Sequence, residues 1–125
     1  MNRQADQQAD FNVQRTALSS ETALVELEGQ VDLHTAPQLK EQLLAAIDEG
    51  AVNLVVDLSL TTFIDSMTLG VLLGAVKRLR PRGGRLRIVC TDPSIRKIFE
   101  ITLLDRVFSL YSTRAEALER LLPAG

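Results

Sequence analysis

The chain is poor in the residues that carry most catalytic and metal chemistry. Its 125 residues include one cysteine, Cys90, and one histidine, His34. A lone cysteine excludes an intrachain disulfide and a cysteine-rich zinc site, and a lone histidine excludes a multi-histidine centre within one chain. No serine sits in a G-x-S-x-G elbow, and neither G-x-x-x-x-G-K-[ST] nor G-x-G-x-x-G occurs; nucleophile-elbow and phosphate-loop chemistry lack their scaffolds. Tryptophan is absent and aromatics make up only 4%, so Leu, Val and Ile must fill any core. The formal charge of −2 gives no electrostatic case for nucleic acid. No apolar run is long enough to cross a bilayer, and residues 1–10, rich in Gln and Asp, lack the apolar stretch of a signal peptide. The expectation is a cytoplasmic domain with a disordered tail over residues 1–10 and one folded unit over 11–122, without cofactor, metal or membrane insertion.

What is present is alternation. Phe11 to Val13 can start a strand, and Leu18 to Thr22 supplies turn residues. Ala23, Val25 and Leu27 then alternate with Glu26 and Glu28 as a half-buried strand ending at Gly29. Thr35, with Pro37 in the first turn and Gln38 to complete a capping box, opens a helix that carries Leu39, Leu43, Leu44 and Ile47 and stops at Gly50. Asn53 to Leu58 is a nearly continuous apolar run suited to a strand covered on both faces. Ser59 to Ile64 reads as a loop anchored by Phe63 and Ile64, both of buried type. A second helix follows Asp65-Ser66, with Leu69, Leu72, Leu73, Val76 and Leu79 on one face and Lys77, Arg78, Arg80 and Arg82 at its end. Gly83-Gly84 stop it. Leu86 and Ile88 make a strand, Asp92-Pro93 cap a third helix, and Val107 to Tyr111 makes a last strand. Thr113 and Glu116 box a final helix that turns Leu118, Leu121 and Leu122 inward. This order predicts a single α/β domain: a mostly parallel sheet of about five strands, about four helices and an opening antiparallel hairpin.

Candidate chemistry narrows quickly. His34 reads as an ordinary loop residue and Cys90 as a small buried hydrophobe. The basic group around Lys77 to Arg87 reads as a solvated helix end and strand face. Asp57 closes the apolar strand as the phosphorylated aspartate does in response-regulator receivers. The acidic pair those domains need after the first strand is missing, however, and Lys40, Lys77 and Lys97 all fall on helices. Asp57 therefore reads as a brace for the loop after it. Asp65 and Ser66 remain, either of which can cap the second helix. A phosphate on a serine there would meet free backbone N–H groups and the positive end of the helix dipole. Beside Asp65 it would also build an acidic patch that a neutral-hydroxyl partner would reject.

The segments G-Q-V-D-L-H-T-A at 29–36, V-V-D-L-S-L-T-T-F-I-D-S at 55–66, L-G-V-L-L-G-A at 69–75, G-G-R-L-R-I-V at 83–89 and K-I-F-E-I-T-L-L-D-R-V-F-S-L-Y-S-T-R-A-E-A-L at 97–118 resemble, in order, the STAS domain family and most closely its bacterial anti-sigma factor antagonists. The resemblance implies a partner switch in a non-enzymatic protein. The bare antagonist binds an anti-sigma factor, usually a serine kinase of the GHKL type, and frees a sigma factor; the kinase phosphorylates and releases it, and a PP2C-type phosphatase resets it. It implies Ser66 as the phospho-acceptor, with Asp32, Asp65, Met67 and Thr68 beside it in the partner-binding surface. The family usually follows Asp-Ser with Ser or Thr and then Gly. Here Met67 brings a long apolar side chain, and Thr68 offers a possible second hydroxyl to a kinase. Leu103 stands where the family often has Gly. The alternative within the family is a non-phosphorylated subunit docking statically in a larger assembly, such as a lipid-transport ATPase complex.

Overall fold

The computed structural model describes residues 11–119 and 121; the expected tail over 1–10 and the inward placement of Leu122 lie outside them. Strand β1 (Phe11–Ala17) turns back through Leu18–Glu21 into β2 (Thr22–Val31), pairing antiparallel from Phe11 against Gly29 to Ala17 against Ala23. The chain continues through α1 (Ala36–Asp48), β3 (Asn53–Ile64), α2 (Ser66–Leu79), β4 (Arg85–Val89), α3 (Pro93–Ile101), β5 (Ser109–Tyr111) and α4 (Arg114–Leu118), with short 3-10 turns at Arg80–Arg82 and Leu104–Arg106. The sheet order is β1-β2-β3-β4-β5, parallel from β2 onward. The expected α/β architecture is the observed one.

This order dictates the layering. Each crossover from β2 to β5 steps one strand in the same direction, and right-handed crossovers that all step one way put their helices on one face. Accordingly α1, α2 and α3 bury Leu39, Leu43, Leu72, Leu79, Ile95 and Phe99 against Val25, Leu27, Leu54, Val56, Leu58 and Ile88 in one large core. Burying each such Leu or Ile stabilises the fold by roughly 1.5–3 kcal/mol before entropy is counted. Phe99 meets Phe108 edge-to-face with ring centroids 5.7 Å apart. Among the described residues the other face holds a smaller cluster, Leu24, Val55 and Val89 under Ala117 of α4, with Leu18, Tyr111, Leu118 and Leu121 packed against it. Odd and even residues of the central strands thus serve two cores of very different size.

Several local expectations are met and several are not. Asp92 caps α3 by accepting from the Ser94 N–H, and Thr113 and Glu116 form the full capping box on α4. The Thr35 box does not form: the Thr35 side chain accepts instead from the Asp32 N–H at 2.8 Å and donates to the Gln30 carbonyl. Ser59 to Ile64, expected as a loop, is the second half of β3. Its buried positions Leu58, Thr61 and Ile64 fall three apart, because β-bulges opposite Glu26–Glu28 and Gly29–Gln30 shift the register with β2. Phe63, expected to be buried, is consequently 47% exposed. The last strand is shorter than expected and begins at Ser109.

Tight positions carry the turns. A Cβ on Gly84 would come 1.8 Å from the Val52 carbonyl oxygen, which accepts from the Arg85 N–H. Gly84→Ala should therefore destabilise by well over about 1 kcal/mol in urea titration. Leu103 sits in the left-handed region, φ 61°, so the turn after α3 has the conformation a glycine would give it while the leucine bears the strain. Leu103→Gly should raise stability by about 0.5–1 kcal/mol despite glycine's greater unfolded-state freedom. A loss of stability in thermal melts would contradict that reading.

Candidate functional site

The site begins where two neighbouring parallel strands end. Val31, the last residue of β2, pairs with Ile64, the last of β3, so the segments that follow emerge side by side at the carboxyl end of the sheet, the usual place for function in parallel α/β folds. One segment is Asp32 to Thr35; the other is Asp65 and the first turn of α2.

Asp65 is extended (φ −126°, ψ −174°) and is the N-cap of α2. Its Oδ1 accepts from the Thr68 N–H at 3.1 Å, and its carbonyl accepts from the Leu69 N–H. The N–H groups of Ser66 and Met67, in the first turn, have no partner within the helix. Ser66 is thus the first helical residue and is exposed. Of the two possible caps left open by the sequence, Asp65 is the one used.

Thr68 is a correction. Its side chain is fully buried, and its Oγ1 donates to the Val31 carbonyl at 2.9 Å. It therefore presents no hydroxyl to a kinase and no surface to a partner in the folded chain. The same bond instead fastens the start of α2 to the end of β2, one residue before Asp32. Asp32 folds its own loop tightly: its Oδ1 accepts from the His34 N–H at 2.9 Å and from the Thr35 N–H at 3.2 Å. The His34 N–H, more than any other contact, holds the Asp32 carboxyl below the usual carboxylate range. His34 is exposed and serves through its backbone.

Around Ser66 the surface is apolar and acidic. Met67 is 48% exposed, and Leu33, in the Asp32 segment, and Phe63, next to last in β3, are likewise exposed. Among the described residues the ion pairs are Arg15 with Glu49, and Arg114 with Glu26 and Asp57; none neutralises Asp32 or Asp65. Of the sequence-predicted residues, Asp32, Asp65, Ser66 and Met67 lie on the two converging segments, and Thr68 lies beneath them. Phe63 and Leu33 were missed as surface residues because they look like core residues.

Asp57 lies on the opposite face and braces rather than reacts. It is 5% exposed, accepts from the Ser59 N–H and hydroxyl, and holds the Arg114 guanidinium, which also reaches Glu26. Burial pushes its carboxyl up, but the bonds from Ser59 and Arg114 outweigh burial and leave it below the ordinary value. Cys90 is buried, and burial pushes its thiol up, which suits an inert core residue. Among the described residues, no three His, Cys, Asp or Glu side chains cluster to hold a metal. No helix there is long and apolar enough to cross a membrane.

A five-stranded sheet with one antiparallel edge, helices mainly on one face and an exposed serine opening the second helix define a small single-domain α/β protein. Residues 14–117 match the STAS domain family model, and the chain belongs to that family. The anti-sigma-B factor antagonist of Listeria monocytogenes is 36% identical over 89 residues, 70% of this chain and 77% of that protein. Among solved structures, an anti-sigma factor antagonist from Mycobacterium paratuberculosis superposes with a TM-score of 0.79 at 29% identity, covering 86% of this chain and 91% of its own. The anti-sigma factor antagonist SpoIIAA in its unphosphorylated form gives 0.72 at 25% identity, over 88% and 97% of the two chains.

Two predictions follow from these contacts. Thr68→Val leaves the buried Val31 carbonyl without its donor and should cost about 1–3 kcal/mol in denaturant unfolding; an unchanged midpoint would show that the tie is dispensable. The folded Asp57 carboxyl titrates below its unfolded value. Its stabilising contribution is therefore complete above about pH 4 and lost as pH falls through the folded value. Asp57→Asn should flatten the acid limb of the stability curve relative to the parent chain, and parallel curves would refute the assignment.

Proposed function

We propose that the protein is an anti-sigma factor antagonist whose grip on its partner is switched by phosphorylation of Ser66. The observation that carries this reading is the exposure of Ser66 at the first position of α2, next to the Asp65 cap and the buried Thr68 tie. The naming of its relatives as anti-sigma factor antagonists supports the same role.

In the bare state the partner, an anti-sigma factor that is also a GHKL-type serine kinase, closes over Ser66, Asp32 and the apolar side chains of Met67, Phe63 and Leu33. That engagement frees a sigma factor. In the kinase reaction the Ser66 Oγ forms the new bond to the γ-phosphorus of ATP. The bond to the β-γ bridging oxygen breaks, ADP leaves, and the serine proton passes to a base of the kinase. The phosphate adds nearly two negative charges beside Asp65 and Asp32. The N–H groups of Ser66 and Met67, unpaired within the helix, can donate to it in the free domain, so the fold tolerates the change. The closed interface does not, because the added charge must be desolvated there against a surface matched to a neutral hydroxyl. Hydrolysis of the phosphoester by a PP2C-type phosphatase restores the binding form. Met67 supplies an apolar anchor for a partner pocket.

Incubation with ATP and the GHKL kinase encoded nearest this gene should place one phosphate on Ser66 and none on Thr68, read by peptide mass spectrometry. Ser66→Ala should bind that kinase as the parent does, whereas Ser66→Asp should bind about 1–3 kcal/mol more weakly. No phosphate on Ser66, together with equal affinities for the two variants, would favour static docking in a larger assembly.

A further inference from the structure

The seam between α1 and α2 is open on its outer side. A groove of about 310 Å³ lies there, closed at one end by Ser66 and Met67 and reaching Arg78 near the other. The twelve-residue rise from Ser66 to Arg78 makes it roughly 18 Å long. Its floor is aliphatic, formed by Leu43, Leu44, Val71 and Ala75, and Lys40 joins Arg78 on its rim. The volume falls at the lower end of the range that takes small molecules, roughly 300–1,000 Å³.

Two further observations bear on an occupant. The groove wall contains Gly70 and Gly74, one helical turn apart in the interior of α2. Glycine is the poorest helix former after proline, and close packing does not require it here, since a Cβ at either position would meet nothing within 4 Å. A side chain at either position would instead stand in the open groove. Lys40 and Arg78 are exposed and take no part in the ion pairs made among the described residues. An aliphatic trough with two uncommitted cations on its rim is complementary to an apolar body bearing an anionic head.

We propose that this groove is a binding site for a small amphiphilic anion, an acyl or aryl body lying along Leu43, Val71 and the glycines with a carboxylate, sulfonate or phosphate head drawn to the positive charge that Lys40, near the start of α1, and Arg78, near the end of α2, give its rim. The binding claim stands without the phosphorylation switch. If that switch also operates, occupancy gives the domain a small-molecule input next to Ser66.

The test uses the full chain and a matched pair of fluorescent probes, anilinonaphthalene sulfonate and its uncharged analogue phenylnaphthylamine. The sulfonate should saturate at one site, with the largest amide shifts in NMR spectra at Gly70, Val71 and Gly74. Gly74→Leu should weaken both probes by about tenfold or more. The Lys40→Gln, Arg78→Gln double variant should weaken the sulfonate by about tenfold and leave phenylnaphthylamine unchanged. Unchanged sulfonate affinity in the double variant, or shifts centred elsewhere, would overturn the proposal. So would a dimer in sedimentation that Gly74→Leu converts to monomer, since the groove would then be filled by a second copy. Should Gly74→Leu fail to fold, the charge variant and the amide shifts decide the matter by themselves.

Discussion

A single buried hydrogen bond, from the Thr68 hydroxyl to the Val31 carbonyl, sets how the second helix meets the sheet. Strands β2 and β3 end in register, but register alone does not fix the angle at which a helix leaves a strand. The bond does so by joining the third residue of α2 to the last residue of β2, while the Asp65 carboxylate satisfies the Thr68 N–H from the other side. With Thr68 held inside, Ser66, two residues earlier, is turned outward. A buried donor–acceptor pair is expensive to break because each partner would be left without water, so the orientation of Ser66 is fixed by the fold and needs no partner to create it.

The two faces of the sheet divide the work. The larger core under α1, α2 and α3 gives the rigidity on which the serine is presented. The smaller face depends on α4, a helix of only five residues that could not persist by itself. Polar contacts hold it in place. Arg114 bridges from its first turn to Asp57 and Glu26, and Arg87 donates to the carbonyls of Ala117 and Glu119 at its end while stacking over Tyr111. Arg82 similarly closes the end of α1 by donating to the Ile47 carbonyl. These arginines, which composition alone suggests are solvated, are structural clasps.

Much of the fold was legible because it rests on local periodicity. The alternation at Ala23 to Glu28, the helical spacing of Leu39 to Ile47 and of Leu69 to Leu79, and the caps at Asp92 and Thr113 all depend on near neighbours in the chain. The failures share the opposite property. The extension of β3 through Ile64 is hidden by bulges whose cause lies in β2. The Thr35 side chain has a better offer from Gln30 and Asp32 than from the helix it precedes. The burial of Thr68 and the clasp of Arg114 on Asp57 span 37 and 57 residues, distances that no pattern in the sequence encodes. At the candidate site, the Asp-Ser pair was readable as residue types at a helix start, and Asp32 only through the family resemblance. The exposure of Phe63, Leu33 and Met67 and the glycine-lined groove appear only once α1, α2 and the strand ends are set beside one another.

The central claim is that one exposed hydroxyl decides between bound and free. It is tested most directly by calorimetric titration of the kinase proposed as its partner, with a nonhydrolysable ATP analogue present, against the same preparation of this chain before and after stoichiometric phosphorylation of Ser66. The account predicts that affinity falls by about tenfold or more on phosphorylation while the thermal stability of the free domain is preserved. Equal affinity for the two forms, or loss of binding only because the phosphorylated domain unfolds, would contradict it.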